Sequence, residues 1–263
     1  MARPLVVLLS DFGTRDHYVG TMKAVILGIC PDVTMVDITH DIPPHDIQEA
    51  ALELSASYRY FPNGAVFLVV VDPGVGSSRR GLVIDTGEYR FVAPDNGVLT
   101  EVLRETPPKC MVEITERRYA RPTVSRTFEG RDRFAPAAAW LAKGVQLSAF
   151  GRTISECKTL AIPVPEVEIE RISGCILRVD RFGNLLTNIT RKLVERFAES
   201  GVIQIKVGEY QVDRLVATYA EIEGDEPCAL FGSTEHLEVA ARSVSARDLL
   251  GLDRGAPVVV TRE

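Results

Sequence analysis

Apolar runs alternate with helical patterns through the first 160 residues of the chain. The continuous apolar stretch LVVLL at residues 5–9 is typical of a strand covered on both faces. Apolar residues recur at helical spacing over 17–29, and residues 65–71 predict a further buried strand. A capping box from Asp46 to Glu49 predicts that another helix begins there. This alternation predicts an α/β domain with a mostly parallel sheet and flanking helices.

The pattern changes near residue 160. The segment IPVPE at residues 162–166 predicts a stiff, extended linker, because proline disfavours helix at its own position and just before it. Beyond this linker, short strand patterns separated by turns predict a smaller β-rich domain of the sandwich or barrel type. The sequence therefore predicts two domains, residues 1–165 and residues 166–263.

Composition narrows the class of protein. The 263 residues are 46% hydrophobic and 25% charged, which is typical of a soluble globular protein. A net charge of -6 argues against binding to a nucleic-acid backbone. The five cysteines are scattered without a C-x-x-C pair, which favours reduced thiols and a cytoplasmic location. The apolar run at 5–9 is too short for a signal peptide or a membrane span, so we expect no membrane partner.

Polar segments follow each of the first three predicted strands, at residues 10–16, 37–41 and 72–80. Ligands of open parallel sheets bind outside the carboxyl ends of the strands, so the three segments together predict a binding cleft. Neither a G-x-G-x-x-G loop nor a P-loop motif occurs. Asp11, at the end of the first strand, is placed to accept both hydroxyls of a ribose. A ligand held in this way, without a phosphate cradle, would be a nucleoside.

A second cluster raises the question of a metal site. It consists of two histidines and three carboxylates, Asp37, His40, Asp41, His45 and Asp46. Such donor sets bind zinc or iron in other proteins. Here two prolines separate the histidines, so the imidazoles share no helix face, and one of the carboxylates already caps a helix. We therefore interpret these residues as satisfied loop residues and predict neither a metal nor a cofactor.

Two further polar segments have structural explanations of their own. Residues 127–132 precede a helix predicted over about 132–143, and acidic residues suit the positive end of a helix dipole. Residues 180–184 interrupt a strand pattern as a polar turn, within which Phe182 is placed where a flat ligand can stack.

Several motifs in the same order identify a resemblance that covers essentially the whole chain. They are SDFGTRD, PDVTMVDITHDIPPHD, FPNGAVFLVVVDPGVGSSR, APDNGVLT, TFEGRDRFAPAAA and DRFGNLLTNI. With them, the chain resembles the S-adenosyl-L-methionine hydroxide adenosyltransferases, relatives of the fluorinase and chlorinase. The motifs occupy residues 10–16, 31–46, 61–79, 93–100, 127–139 and 180–189.

The resemblance implies an α/β N-terminal domain, a β-barrel-like C-terminal domain, and a homotrimer with the ligand between subunits. It also implies hydrolysis of S-adenosyl-L-methionine (SAM) to adenosine and L-methionine, with SAM as substrate rather than cofactor. In this family an Asp-Arg-His set holds the attacking water near C5′. Asp72 and Arg79 match its first two members, while Glu129 stands where the family has histidine. Glutamate can accept a proton or pair with Arg79, so an Asp-Arg-Glu set is chemically reasonable.

The resemblance also assigns contacts to substrate. Asp11 would bind the ribose, and the other matched positions would bind the methionine or adenine ends of SAM. These are Asp16 near the methionine end, Asp180 at the ammonium, Phe182 as a stacking ring, Asn184 at the adenine edge and Ser233 at the carboxylate.

The departures from the family motifs leave two alternatives to SAM hydrolysis open. Glu129 in place of histidine also fits a protein that binds adenosine or SAM without turnover, and residues 234–242 differ from the family pattern for the adenine and carboxylate contacts. A SAM-dependent halogenase is the other alternative. The carboxylate of Asp72 argues against it, because a halide site favours hydroxyl and backbone N–H groups.

Overall fold

The computed structural model describes residues 3–198, 202–224 and 226–262. Contacts divide the chain into two compact units, residues 1–161 and residues 162–263. The sequence prediction places the domain boundary at residue 165, within the proline-rich segment that begins the second unit.

The first unit is built on a mixed sheet. Its strands are β1 (Leu5–Ser10), β2 (Thr34–Thr39), β3 (Val66–Val70), β4 (Gly81–Asp85), β5 (Arg90–Pro94), β6 (Cys110–Ile114) and β7 (Gly151–Thr153). In the described residues the strand order is β2–β1–β3–β5–β4–β6–β7. The strands β2, β1, β3 and β5 are parallel, whereas β4, β6 and β7 pair antiparallel. The parallel half of the sheet therefore contains the three strands whose carboxyl ends are predicted to form the site.

Helices cover both faces of this sheet. They are α1 (Tyr18–Ile29), α2 (Ile47–Ser57), α3 (Thr100–Glu105) and α4 (Ala135–Ala142), the last directly preceded by a π-helical turn at Gly130–Phe134. Val6 and Leu8 of β1 belong to the core packed on α1 and α4, and Val7 and Leu9 to the core packed on α2 and α3. Burial on both faces explains why β1 is a continuous apolar run. The predicted cap of α2 is confirmed, because Asp46 Oδ1 accepts a hydrogen bond from the Glu49 amide at 2.9 Å.

The second unit is an antiparallel, barrel-like sheet. Its elements are β8 (Glu166–Val167), β9 (Arg171–Val179), β10 (Leu185–Thr190), α5 (Arg191–Ala198), β11 (Ile203–Val207), β12 (Tyr210–Val212), β13 (Cys228–Phe231), β14 (His236–Ala240), α6 (Ala246–Leu250) and β15 (Pro257–Arg262). The strand order is β12–β11–β15–β9–β10–β14–β13, and β8 pairs with β9. Ile176, Leu185, Leu237 and Val258 lie in its buried core. The predicted fold class, an α/β N-terminal part with a smaller β-barrel-like part, is thus confirmed.

The cysteines and helices add two observations. All five cysteines are free thiols, and Cys30 and Cys228 are buried. In the part of the chain that the structure describes, no helix has both the length and the apolar character needed to cross a membrane.

Candidate active site

The loops that follow β1, β2 and β3 converge on one pocket at the carboxyl ends of these parallel strands, as the sequence predicts. The pocket has a volume of about 290 Å³. The chain returns at residues 127–130 to form its remaining wall. The pocket is lined by Asp11, Phe12, Tyr18, Pro44, His45, Val70, Asp72, Val75, Thr127, Phe128, Glu129 and Gly130.

The loop after β3 reverses direction through consecutive turns. The Val75 amide donates to the Asp72 carbonyl at 3.2 Å, and the hydroxyl of Ser77 donates to the Gly74 carbonyl at 2.6 Å. Gly76 has φ +77°, and a Cβ atom there would overlap the carbonyl oxygen of Arg126. Glycine meets both requirements, a left-handed backbone and close approach of a second chain segment. The reversal returns the chain so that the side chain of residue 79 reaches Asp72.

Arg79 joins the two carboxylates predicted to be catalytic. Its Nε lies 3.0 Å from Asp72 Oδ1, and its Nη2 lies 2.5 Å from Asp72 Oδ2. The same Nη2 donates to Glu129 Oε2 at 2.6 Å. The side chains of Arg79, Asp72 and Glu129 are 5%, 6% and 11% exposed, respectively. The ring of Phe134 lies under the guanidinium, with the Arg79 Cζ atom 5.1 Å from the ring centroid. The structure thus brings together three residues that are up to 57 positions apart in the chain.

The environment changes the proton affinity of Asp72. Burial raises the pKa of Asp72 above its ordinary value; the charge and hydrogen bonds of Arg79 oppose this shift, and the negative charge of Glu129 adds to it. A carboxylate with a raised pKa is a stronger base than one in water. A general base is most effective when its pKa is close to the working pH, so this shift suits Asp72 to accept a proton.

A second guanidinium, which the sequence analysis does not identify, contacts Glu129. Arg133 Nη1 lies 2.9 Å from Glu129 Oε1, and its Nη2 donates to the Ile114 carbonyl at 2.8 Å. The two residues are four apart in and beside the π-helical turn. An acid followed four residues later by an arginine is a recognised helical ion pair, and this spacing is the signal that points to Arg133.

Asp11 is fixed by the neighbouring loop. Its Oδ2 accepts a hydrogen bond at 2.8 Å from the backbone amide of His45, which has the left-handed φ of 70°. Behind it, the fully buried Ser10 hydroxyl lies 2.7 Å from His40 Nδ1. These contacts join the ends of β1 and β2 and orient the Asp11 carboxylate at the pocket wall.

Two residues of the predicted loop cluster, Asp37 and His40, contact each other. His40 Nε2 lies 3.2 Å from Asp37 Oδ1, and Lys23 Nζ lies 2.6 Å from Asp37 Oδ2. Partial burial raises the pKa of Asp37, but the hydrogen bonds and charges of Lys23 and His40 together outweigh burial. The pKa of Asp37 is therefore lowered from its ordinary value. Across residues 3–198, 202–224 and 226–262, no group of three or more His, Cys, Asp or Glu side chains is arranged to hold a metal ion.

Three aromatic rings form an apolar wall of the pocket. The ring centroids of Phe12 and Tyr18 are 5.4 Å apart, and Phe128 meets them edge-on at 5.8 and 5.1 Å. The sequence analysis does not single out these rings, because each lies in a loop or at a helix start where no periodicity marks it. An apolar wall opposite buried carboxylates is typical of a small-molecule site.

The four predicted residues of the second unit lie in two turns. Asp180 Oδ1 accepts hydrogen bonds from the amides of Phe182 and Asn184 at 2.9 and 2.8 Å, and Oδ2 accepts one from Asn184 Nδ2 at 2.8 Å. Asp180 therefore organises the turn between β9 and β10. The ring of Phe182 is 78% exposed, and Ser233 is exposed in the turn between β13 and β14. In the first unit, Asp16 is exposed in the loop before α1 and is not among the pocket-lining residues.

A buried carboxyl group in the second unit also escapes the sequence analysis. Glu238 is only 4% exposed, and its Oε2 accepts a hydrogen bond from the hydroxyl of Tyr219 at 2.7 Å. Burial raises the pKa of Glu238, and the negative charge of Asp180 adds to the shift. Burial and the neighbouring Glu238 likewise raise the pKa of Tyr219. Periodicity predicts an apolar strand at this position and gives no reason to expect a buried acid.

Comparison with known proteins identifies relatives of the whole chain. Residues 6–151 match the SAM hydroxide adenosyltransferase N-terminal domain, and residues 174–259 match the C-terminal domain of the same family. An (R)-S-adenosyl-L-methionine hydrolase from Thermus thermophilus is 40% identical over 96% of this chain and 98% of its own length. A fluorinase from an Actinoplanes species is 29% identical over 98% of both chains. The crystal structure of an uncharacterized conserved protein from Thermotoga maritima is 35% identical, with a TM-score of 0.91 over 98% of this chain and 100% of that one.

Proposed function

The chain belongs to the SAM hydroxide adenosyltransferase family, and on that premise we propose that it hydrolyses S-adenosyl-L-methionine to adenosine and L-methionine. The observation that supports this proposal best is the convergence of Asp72, Arg79 and Glu129 at the pocket wall. SAM has a sulfonium leaving group, which departs as a neutral thioether and requires no general acid. The enzyme therefore has to supply a positioned nucleophile.

In the proposed reaction, water attacks C5′ of the adenosyl group. The new C5′–O bond forms as the C5′–S bond breaks, and the electron pair of the broken bond stays on sulfur, which becomes the thioether of methionine. The water proton passes to the carboxylate of Asp72, whose raised pKa suits this transfer. The adenosine product keeps the water oxygen as its 5′-hydroxyl.

Arg79 mainly holds the carboxylates of Asp72 and Glu129 together through hydrogen bonds. A guanidinium has five N–H donors. In this protein the Nε hydrogen and one of the two Nη2 hydrogens are donated to Asp72, and the other Nη2 hydrogen is donated to Glu129. Nη1 donates to the Arg80 carbonyl at 3.0 Å. Little donor capacity is left for the water. We therefore assign contact with the water to Asp72, with Arg79 fixing its orientation and balancing its charge.

Substrate contacts are proposed for the remaining predicted residues. Asp11, oriented by the His45 amide, is proposed to accept the ribose hydroxyls, a role supported by its place on the pocket wall. The family resemblance supports the other assignments. They are Asp16 near the methionine end, Asp180 at the methionine ammonium, Asn184 at the adenine edge, Phe182 as a stacking ring and Ser233 at the methionine carboxylate.

We also propose a cytoplasmic homotrimer that binds SAM between subunits and requires no cofactor. The resemblance supports the trimer, and the exposed ring of Phe182 supplies an apolar surface of the kind that interfaces cover. The five free thiols support a reducing compartment. Light scattering of the purified protein, with and without SAM, measures the oligomeric state directly.

Incubation with SAM in H₂¹⁸O tests the function. Chromatography with mass detection should show adenosine and methionine in equal amounts, with ¹⁸O in the adenosine 5′-hydroxyl. A SAM-dependent halogenase would instead give a 5′-halogenated nucleoside when fluoride or chloride is added. Binding of SAM by calorimetry with no adenosine released would establish the non-catalytic alternative and refute the hydrolase assignment.

A further inference from the structure

Glu129 lies between two guanidinium groups, one on each carboxylate oxygen. Oε2 accepts from Arg79 at 2.6 Å, and Oε1 accepts from Arg133 at 2.9 Å. Glu129 is 11% exposed and Arg133 is 22% exposed, so water only partly screens the second pair. Asp72 and Glu129 together with Arg79 and Arg133 give a buried cluster of two negative and two positive charges.

Charge balance in this cluster depends on Arg133. Without it, one guanidinium would face two buried carboxylates, and burial of an unbalanced charge is costly. Asp72 and Glu129 would then compete for the single cation and repel each other. With Arg133 present, Glu129 can remain a carboxylate and hold Arg79 against Asp72.

We infer that Arg133 is a positioning residue of the reaction, acting through Glu129 to keep the Asp72–Arg79 pair aligned and charged; the inference rests on the proposed hydrolysis. Arg133 does not line the pocket, so it is not assigned a contact with SAM. It is held by its second bond, to the Ile114 carbonyl of β6 at 2.8 Å. A rigid strand thereby fixes a residue on the π-helical turn that bears Glu129.

Other charged or ionisable side chains face the same pocket. Arg79 and Asp72 come from the loop after β3 and Arg133 from the turn of Glu129 itself. The remaining ones are Asp11 after β1, His45 after β2 and Tyr18 at the start of α1. Asp11, His45 and Tyr18 are unchanged in all variants at positions 129 and 133, so differences between variants report on the cluster.

The test is a double-mutant cycle of Glu129→Gln and Arg133→Met, with pH–rate profiles of SAM hydrolysis. Arg133→Met removes a charged hydrogen bond and should lower kcat by about 10- to 100-fold with little change in KM. It should also move the acidic limb of the profile to higher pH, because Glu129 without Arg133 would draw Arg79 away from Asp72 and so raise the pKa of Asp72. Glu129→Gln should move this limb to lower pH, because the negative charge that raises the pKa of Asp72 is gone.

Coupling distinguishes positioning from a merely structural role. In the Glu129→Gln background, Arg133→Met should no longer shift the acidic limb. Arg133→Lys retains the charge and should restore the wild-type limb, and it provides a folded variant if Arg133→Met unfolds. Arg152→Met is the matched control, since Arg152 pairs with Glu113 of β6 at 2.7 Å outside the pocket. It should leave kcat and the profile unchanged.

Three results would overturn the inference. If wild-type protein hydrolyses SAM and Arg133→Met matches it in kcat and pH profile, the inference fails while the proposed function stands. If Arg133→Met shifts the limb equally in both backgrounds, Arg133 does not act through Glu129. Absence of adenosine from the wild type would overturn the function and, with it, the inference.

Discussion

Replacement of Asp72 by asparagine tests the central step of the proposed mechanism. The amide has nearly the shape of the carboxylate but cannot take a proton from water. It offers Arg79 one acceptor oxygen where the native carboxylate offers two, at 3.0 and 2.5 Å. The change therefore removes the base while leaving the pocket walls in place.

The expected loss follows from the role assigned to Asp72. A positioned general base contributes about 10²- to 10⁴-fold, which is about 2.7–5.4 kcal/mol of transition-state stabilisation. Because Asp72 is assigned to the water rather than to SAM, KM should change little and the loss should fall on kcat. For the wild type, kcat should decrease as the pH falls through the raised pKa of Asp72, since the protonated acid cannot act as a base.

Initial rates of adenosine release at saturating SAM measure the effect. Asp95→Asn is the matched control, because Asp95 is also a buried carboxylate paired with an arginine, Arg80, at 2.7 Å, and lies outside the pocket lining. This variant should lower the free energy of unfolding by about 1–3 kcal/mol, because Asp95 weakens or loses its hydrogen bonds with Arg80 and the Lys158 amide. Its kcat should be preserved. The reasoning is refuted if Asp72→Asn retains more than about a tenth of wild-type kcat.

Three further changes address the loops and the ribose contact. Gly76→Ala should cost about 1–3 kcal/mol in urea unfolding, because the left-handed φ and the Arg126 carbonyl both oppose a Cβ atom; unchanged stability would contradict the turn geometry. Asp46→Ala should cost about 1 kcal/mol by the same measurement through loss of the bond to the Glu49 amide, with activity unaffected. Asp11→Asn should raise KM for SAM about 10- to 100-fold with a smaller effect on kcat, and an unchanged KM would remove Asp11 from the ribose site.

Local signals in the sequence are sufficient for much of the fold. The apolar run of β1 and the cap of α2 at Asp46 depend on neighbouring residues, and both are predicted correctly. The antiparallel turn from β4 to β5 could also have been anticipated, since only residues 86–89 connect them and parallel strands need a longer crossover. The three-residue strand β7 is too short to produce a pattern; its pairing with β6 defines it.

Tertiary contacts decide the features that the sequence does not predict. The helix predicted over 132–143 begins earlier, as a π-helical turn from Gly130, and the α-helical part runs from Ala135 to Ala142. At Gly130 an added Cβ would lie 3.2 Å from Val70 Cγ1, so the turn packs tightly on β3. Such packing overrides local propensity. The φ of 70° at His45 has the same origin, because this backbone brings its amide to Asp11.

The residues of the candidate site also fall into two groups, those that the sequence predicts and those that tertiary contacts bring together. The position of Asp72 and Arg79 after a core strand is evident from one stretch of sequence, and strand topology places Asp11 on the same edge. The contact of Glu129 with Arg79 spans 50 residues, and only the family resemblance connects the two in advance. The sequence analysis leaves Arg133 out because the family motif does not mark its position.

The four-residue separation of Glu129 and Arg133 bears on how this enzyme would be engineered. Histidine at position 129 would place an imidazole against a permanent cation, and single-site libraries would not sample the change at position 133 that this replacement calls for. A short oligonucleotide can randomise both codons together, and the productive combinations should be pairs whose charges sum to the same total. Selection would then act on the combination of residues at positions 129 and 133 rather than on each position alone.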